Sequence, residues 1–110
     1  MKVMICQPMN GKDDETIKAE RQCIVEMLGK QGHSVVNTVF SEEPPFMSKN
    51  RGLWYMGKSL IAMSKVDVLY CMQGWEKARG CVIEHACAVN YGLDVWYEEG
   101  EERWQRINGN

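Results

Sequence analysis

Short apolar runs alternate along this chain with longer segments of helical spacing, and this alternation constrains the fold more than any other feature. The run Val3-Met4-Ile5-Cys6 predicts a buried strand over residues 2–6, because Pro8 and the Asn10-Gly11 turn bound it. Residues 13–31 follow with acidic side chains at the start and apolar side chains on one helical stripe, which predicts an amphipathic helix.

The rest of the chain continues this order of strand and helix. The further predicted elements are a strand at 34–40, a loop at 41–50, a helix at 51–64, a strand at 66–71, a helix at 79–91 and a strand at 93–97. After them, the acidic run from Glu98 predicts a solvated edge, and Trp104 and Ile107 predict a short docked helix.

Single helices between strands imply right-handed crossovers and a mainly parallel sheet with helices on both faces. We therefore expect residues 1–110 to form one α/β domain. The expected architecture is a small flavodoxin-like or Rossmann-like three-layer fold, with about four parallel strands in the order 2-1-3-4.

The composition excludes several classes of protein. The 110 residues are 45% hydrophobic and 25% charged, which is ordinary for a globular domain, and no apolar run approaches the ~20 residues of a membrane helix. The net charge of −2 argues against nucleic acid as the main partner. The first strand reaches a polar loop at Gln7 before a signal-peptide core forms, and the five cysteines contain no CxxC pair. We expect a cytoplasmic protein with no membrane partner.

Two loops are the expected place of ligand binding. In a sheet of order 2-1-3-4 the strand order reverses between the first and third strands, and ligands bind beyond the strand ends at that point. The loops there, residues 7–12 and 72–80, both lead into helix N-termini, which favour anions. Neither contains a GxGxxG or P-loop pattern, so a dinucleotide is not expected and no cofactor is predicted.

The start of the third helix is the more informative of these places. Gly80 allows close approach of a ligand to the backbone, Arg79 can pair with a phosphate or carboxylate, and Trp75 offers a stacking face for a base. Spacing alone favours the simpler alternative of a helix start with an exposed arginine and a tryptophan that covers the sheet end. Asn10-Gly11 is evenly balanced between a bare turn and a loop that holds phosphate.

Glu84 is the candidate reactive group. It lies four residues after Gly80 on the same helix face, in the least polar helix of the chain. A partly buried carboxylate that faces the crevice can act as a nucleophile or general base. The residues alone favour the alternative, a surface carboxylate stabilised by the helix dipole.

Other polar residues carry weaker signals. Cys81 and His85 share a helical face, but Cys87 points elsewhere and no fourth ligand stands out, so no metal site is predicted. Asp67 opens the third strand at its amino end, away from the crevice, and is interpreted as a turn residue.

The loop at residues 7–12 and the segments 74–85 and 88–92 resemble a short family of phages and bacteria described as nucleoside 2-deoxyribosyltransferase-like, and the resemblance runs from the first strand to about Glu98. The wider superfamily includes 2′-deoxynucleoside 5′-monophosphate N-glycosidases, whose catalytic glutamate follows a glycine by four residues. The resemblance thus implies Glu84 as nucleophile. The expected substrate-binding residues are Gln7, Pro8, Met9, Asn10, Gly11, Trp75, Glu76, Arg79, Gly80 and Cys81.

The chain departs from that superfamily at three positions. Ala78 replaces an aspartate that helps to hold the sugar, and residues 57–60 lack the carboxylate that assists the base. Gln7 replaces an aromatic residue. Glu76 or a residue of a second subunit could supply the missing carboxylates.

Three functions remain open at this point. The first is an enzyme that cleaves or transfers at the N-glycosidic bond of a (deoxy)nucleoside or nucleoside 5′-monophosphate. The second is a non-catalytic protein that binds a nucleotide or nucleotide-derived ligand, and the third is an accessory protein that acts through its surface. The resemblance also implies a homo-oligomer, for which the candidate interface residues are Trp54, Tyr55, Trp96 and Trp104.

Overall fold

The computed structural model describes residues 1–38 and 42–98. Its elements in chain order are β1 (Lys2–Cys6), α1 (Asp14–Lys30), β2 (Ser34–Val35), α2 (Arg51–Met63), β3 (Val68–Cys71), a 3₁₀ turn (Trp75–Lys77), α3 (Arg79–Asn90) and β4 (Asp94–Tyr97). The four strands form one parallel sheet in the order β2-β1-β3-β4. The predicted fold class and strand order are confirmed.

The strand β1 lies inside the sheet and is paired on both sides. Val3 is aligned with Val35 of β2 on one side and with Val68 of β3 on the other. Towards the carboxyl ends, Cys6 is aligned with Cys71, and Cys71 with Tyr97 of β4. The loops that follow β1 and β3 therefore leave the sheet side by side at one edge.

Alternate side chains of the strands enter two separate apolar layers, as the period-2 geometry of a strand requires. One layer joins the sheet to α1 and contains Val3, Ile5, Val68, Tyr70, Trp96, Ile24 and Leu28. The other joins the sheet to α2 and α3 and contains Met4, Cys6, Leu69, Cys71, Val95, Tyr97, Met63, Cys81 and Ala88. The sheet is thus covered on both faces, as predicted for a doubly wound fold.

The helices begin in two different ways. The Asp13 side chain accepts the Thr16 N–H at 2.8 Å before α1, and the Asn50 side chain accepts the Leu53 N–H at 2.8 Å before α2. Before α3 the N-cap residue is Ala78, which has no side-chain acceptor. The first turn of α3 therefore presents N–H groups that no cap side chain satisfies.

The prediction for β2 is too long. Within the described residues 34–38, strand pairing covers Ser34 and Val35 alone, although the Val36 N–H still donates to the Val3 carbonyl at 3.0 Å. Residues 39 and 40 of the predicted strand lie outside the described residues. The next contacts of this segment are with Arg21 of α1, which donates to the Val36 carbonyl and the Thr38 hydroxyl. β-Branched residues fit a half-buried pleated surface, but that preference does not fix how far pairing extends.

Several other predictions concern aromatic and polar side chains. Trp96 is 4% exposed inside the α1 layer, so the prediction that it forms an interface is wrong. Trp54 and Tyr55 are half-buried on α2, with their rings 5.0 Å apart. Asp67 accepts the Lys2 N–H at 2.9 Å at the amino end of the sheet, which gives it a structural contact far from the strand ends that carry the loops. The predictions for residues 99–110, including Trp104, lie outside the described residues.

No helix in the described ranges combines the length and the apolar character that are needed to span a bilayer.

Replacing Leu28 by alanine tests the α1 layer. The side chain is fully buried, so Leu28→Ala is expected to lower the free energy of unfolding by about 2–5 kcal/mol in a urea titration. Leu53, which is 67% exposed on α2, provides the matched control, and Leu53→Ala should change stability by less than about 0.5 kcal/mol. Equal losses in the two variants would contradict the assignment of α1 to the core.

Candidate functional site

A cleft opens between the loop after β1 and the start of α3. Its outer part, here called the mouth, has a volume of about 540 Å³, and its inner part, the pocket, about 180 Å³. The two parts share four lining residues, Gln7, Met9, Gly80 and Cys81. The mouth adds Asn10, Lys77 and Arg79, and the pocket adds Arg21, Thr38, Ser59 and Glu84. The structure therefore brings together the two loops that the sheet topology indicates.

Glu84 is the buried acid of this cleft. It lies one turn after Gly80 on α3 and is 9% exposed. Burial raises the pKa of the Glu84 carboxyl above its ordinary value, while hydrogen bonds from the Cys6 thiol and the Ser59 hydroxyl act in the opposite direction. Among the described residues the carboxyl has two neutral donors beside it and forms no ion pair.

Cys6, the thiol next to Glu84, belongs to a cluster of three cysteines. Hydrogen bonds with Cys71 and Cys81, together with burial, raise the pKa of Cys6 far above its ordinary value. Cys6 therefore remains a protonated thiol that donates to the carboxyl. The cysteines are free, and this cluster is a packed part of the core in which Cys81 also lines the pocket.

Gln7 adds an unsatisfied acceptor. Its Nε2 donates to the Ile17 carbonyl at 2.8 Å, which fixes the orientation of the amide. Its Oε1 is buried and has no hydrogen-bond partner among the residues the structure describes. Such a group costs about 1–3 kcal/mol, so an N–H or O–H donor of a ligand is its natural partner.

Arg21 is a pocket residue that the sequence analysis missed. Its Nη2 donates to the Val36 carbonyl at 3.4 Å and to the Thr38 hydroxyl at 3.3 Å. Burial lowers the pKa of Arg21, and within the described ranges no carboxylate pairs with it. A signal was present in the sequence, because Arg21 falls on the stripe formed by Ile17, Ile24 and Leu28, where an apolar residue is expected.

Gly80 has a packing role as well as its place in the cleft. A Cβ atom there would lie 3.4 Å from Cε of Met56, so the glycine allows α2 to approach α3 closely. The predicted approach of a ligand to the backbone of Gly80 stays a prediction.

Four predicted substrate-binding residues do not line the mouth or the pocket as described: Pro8, Gly11, Trp75 and Glu76. Gly11 has a φ of 78°, which suits the turn closed by the Lys12 N–H and the Met9 carbonyl. Pro8 lies against Gly74 of the other loop, 3.7 Å from the position of a Cβ there.

Trp75 belongs to an aromatic cluster at the end of β4. Its ring stacks on His85 at 4.1 Å between centroids, and Nε2 of His85 hydrogen-bonds with the Tyr97 hydroxyl. Burial lowers the pKa of His85 and raises that of Tyr97 to about 12, so both are neutral near pH 7. Among the described residues no three His, Cys, Asp or Glu side chains are grouped as a metal site would need.

Comparison with known proteins adds one result. A model of the family described as domain of unknown function DUF4406 matches residues 1–97. The chain belongs to the DUF4406 family. No curated protein and no solved structure matches it. Since this family description states no activity, any proposal for this DUF4406 protein rests on the cleft itself.

The buried carboxyl of the DUF4406 cleft predicts a pH-dependent stability. The pKa of Glu84 is raised in the folded state above the ordinary value of 4.5. Between these two pKa values the folded chain binds more protons than the unfolded chain, so the free energy of unfolding falls as the pH rises from the lower value to the higher one. Glu84→Gln removes the titration. Its melting temperature should exceed that of the wild type at pH 8, and the difference should shrink towards pH 4.

The control for this experiment is Glu26→Gln on the exposed part of α1. It removes one carboxylate from the surface and should show no such pH-dependent gain. A Glu84→Gln variant that is less stable than the wild type at pH 8 would contradict the conclusion that burial destabilises the charged carboxyl.

Proposed function

We propose that this protein is an enzyme that cleaves or transfers at the N-glycosidic bond of a (deoxy)nucleoside or nucleoside 5′-monophosphate, with Glu84 as the nucleophile. The observation that supports this most is a buried carboxyl in the pocket, four residues after Gly80, held by the Cys6 thiol and the Ser59 hydroxyl. The resemblance of the two loops to nucleoside deoxyribosyltransferase-like proteins supports the same activity.

The chemistry needs a carboxylate in such a place. As the bond between the sugar and the base breaks, positive charge develops on the anomeric carbon, and a close carboxylate stabilises it or bonds to it. Glu84 would form a glycosyl ester in this way. Water then releases the sugar in a hydrolase, whereas a second base captures it in a transferase.

The mouth suits the phosphate of a 5′-monophosphate. Lys77 and Arg79 are both exposed there, and the start of α3 offers N–H groups without a cap side chain. Helix N-termini with free amides and nearby cations favour phosphate. This arrangement supports nucleotides over nucleosides as substrates.

A second candidate function is binding without turnover. Ala78 lies where the related transferases carry an aspartate, and residues 57–60 lack their second carboxylate, so the helpers for the sugar and the base are missing. The same cleft would then hold a nucleotide or a nucleotide-derived ligand. Product formation separates the two functions.

The protein is also proposed to be a cytoplasmic homo-oligomer. Exposed apolar side chains on neighbouring helices support an interface: Ile61 on α2, and Val82, Ile83 and Val89 on α3. The five free cysteines suit a reducing compartment.

Chromatography of a nucleotide panel tests the enzyme. Incubation of ribo and deoxy nucleosides and their 5′-monophosphates with the wild type should release free base, and Glu84→Gln should reduce the rate at least about 10³-fold, because its amide is not a nucleophile. Glu26→Gln on α1 should retain full activity. If no substrate of the panel releases free base at high enzyme concentration, with and without an acceptor base, catalysis is rejected. Saturable binding of a nucleotide would then support the second function.

The pH profile tests the role of the Ser59 hydrogen bond. This bond lowers the pKa of Glu84, so Ser59→Ala should raise that pKa and move the acidic limb of kcat/KM to higher pH, since the nucleophile must be deprotonated. Ser64→Ala provides the control, because that hydroxyl donates to the Ile61 carbonyl at the other end of α2. If the acidic limb of kcat/KM lies at the same pH in the wild type, Ser59→Ala and Ser64→Ala, a group other than Glu84 controls that limb.

A further inference from the structure

We infer that Arg21 recognises the leaving base, that it selects 6-oxopurines (guanine or hypoxanthine), and that it stabilises the negative charge they acquire as the glycosidic bond breaks. The inference rests on the proposed function and adds the identity of the base. The observation behind it is that the half-buried guanidinium of Arg21 and the buried carboxyl of Glu84 line the same pocket of about 180 Å³.

The two groups share the pocket without neutralising each other. The pKa of Glu84 is set by burial, Cys6 and Ser59, and the described residues contain no ion pair between Glu84 and Arg21. Arg21 reaches the pocket from α1, where its nearest recorded acceptors are the Val36 carbonyl and the Thr38 hydroxyl at 3.3–3.4 Å. A ligand that contacts both groups therefore meets a nucleophile and a cation.

The base is the part of the substrate that fits beside Glu84. It is bonded directly to the carbon that the carboxylate attacks, whereas the 5′-phosphate is separated from that carbon by the sugar ring. A phosphate dianion in the pocket would also face the Glu84 carboxylate, and like charges at short range repel. The exposed cations of the mouth, Lys77 and Arg79, remain for the phosphate.

The donor pattern points to a 6-oxopurine. A guanidinium has only N–H donors, and Nη2 alone makes the recorded contacts of Arg21, so other N–H groups are available to a ligand. Guanine and hypoxanthine present two neighbouring acceptors, O6 and N7, that match this fork, whereas adenine places an amino donor beside N7. The N1–H of a 6-oxopurine is a donor of the kind that the buried Oε1 of Gln7 lacks.

The proposed step balances as follows. A Glu84 oxygen bonds to the anomeric carbon while the bond from that carbon to the base nitrogen breaks, and the bonding electron pair remains on the base. Arg21, which stays protonated, balances the charge of the departing base until the base takes a proton from water and leaves hydroxide. A second water then hydrolyses the ester, which releases the sugar with a new hydroxyl and restores the carboxylate. The proton freed in this hydrolysis neutralises the hydroxide.

The first measurement is the order of bases for the wild type. The 2′-deoxynucleoside 5′-monophosphates of guanine and hypoxanthine should be cleaved with kcat/KM at least about 10-fold above that of adenine, the discrimination expected of one bidentate contact. Guanine and hypoxanthine nucleotides should also bind Glu84→Gln more tightly than the adenine nucleotide in calorimetry. Equal or better use of adenine in both measurements would overturn the inference, whether or not Arg21 variants fold.

The second measurement removes the guanidinium. Arg21→Met should lower kcat/KM about 100-fold for the two 6-oxopurines and less than about 3-fold for adenine. A substrate with 4-nitrophenolate as the leaving group needs little assistance and should retain most of its rate. Lys18→Met is the matched control, because it removes an exposed cation from the same helix.

The outcomes separate the two proposals. Release of base with the same loss on every substrate in Arg21→Met, 4-nitrophenolate included, would indicate a structural role for Arg21 and overturn the inference while the proposed function stands. If the wild type releases neither base nor 4-nitrophenolate, the proposed function fails. Calorimetry then tests the recognition of the base. Tighter binding of guanine nucleotides than of adenine nucleotides would support the role of Arg21, and equal or weaker binding would overturn it.

Discussion

The pairing of β1 on both of its sides, with burial on both of its faces, is the constraint on which the rest of the structure depends. Every residue from Val3 to Gln7 is buried, so the strand has no freedom in register. Its alternation directs Cys6 into the layer beneath α3 and brings Gln7 to the cleft at the strand end. Gln7, which lines the pocket, and Cys6, which neighbours Glu84, are therefore fixed by the same hydrogen bonds and burial that hold the sheet together.

The environment of Glu84 follows from this placement. The buried carboxyl loses much of its hydration, and the neighbouring Cys6 and Ser59 return only neutral hydrogen bonds. Charge is therefore costly at this position unless a ligand supplies compensating charge. Under the proposed function, a sugar that develops positive charge at its anomeric carbon would do so, and the burial that weakens the folded state would strengthen the interaction with the reacting carbon.

The sequence predicted the fold well and the cleft in part, for identifiable reasons. Hydrophobic periodicity located the three helices, and single-helix crossovers implied the strand order, because both depend on local patterns and general topology. The aromatic face of Trp75 was assigned to a base, although it stacks on His85, which comes from the following helix. Arg21 was missed because its role depends on β2 ending at Val35, and pairing length is a property of the whole sheet.

The missing carboxylates of the superfamily pattern acquire a different meaning once Arg21 is included. An acid near the base assists departure by giving up a proton, and its strength depends on its own pKa and on pH. A guanidinium assists by electrostatic attraction, remains protonated throughout and works best where water is excluded. Under the proposed function Ser59 would hold the nucleophile, while Arg21 of α1 would act on the leaving group. A buried carboxyl, with a guanidinium that pairs with no carboxylate among the described residues, would then be sufficient for this chemistry on bases that delocalise a negative charge onto an exocyclic oxygen.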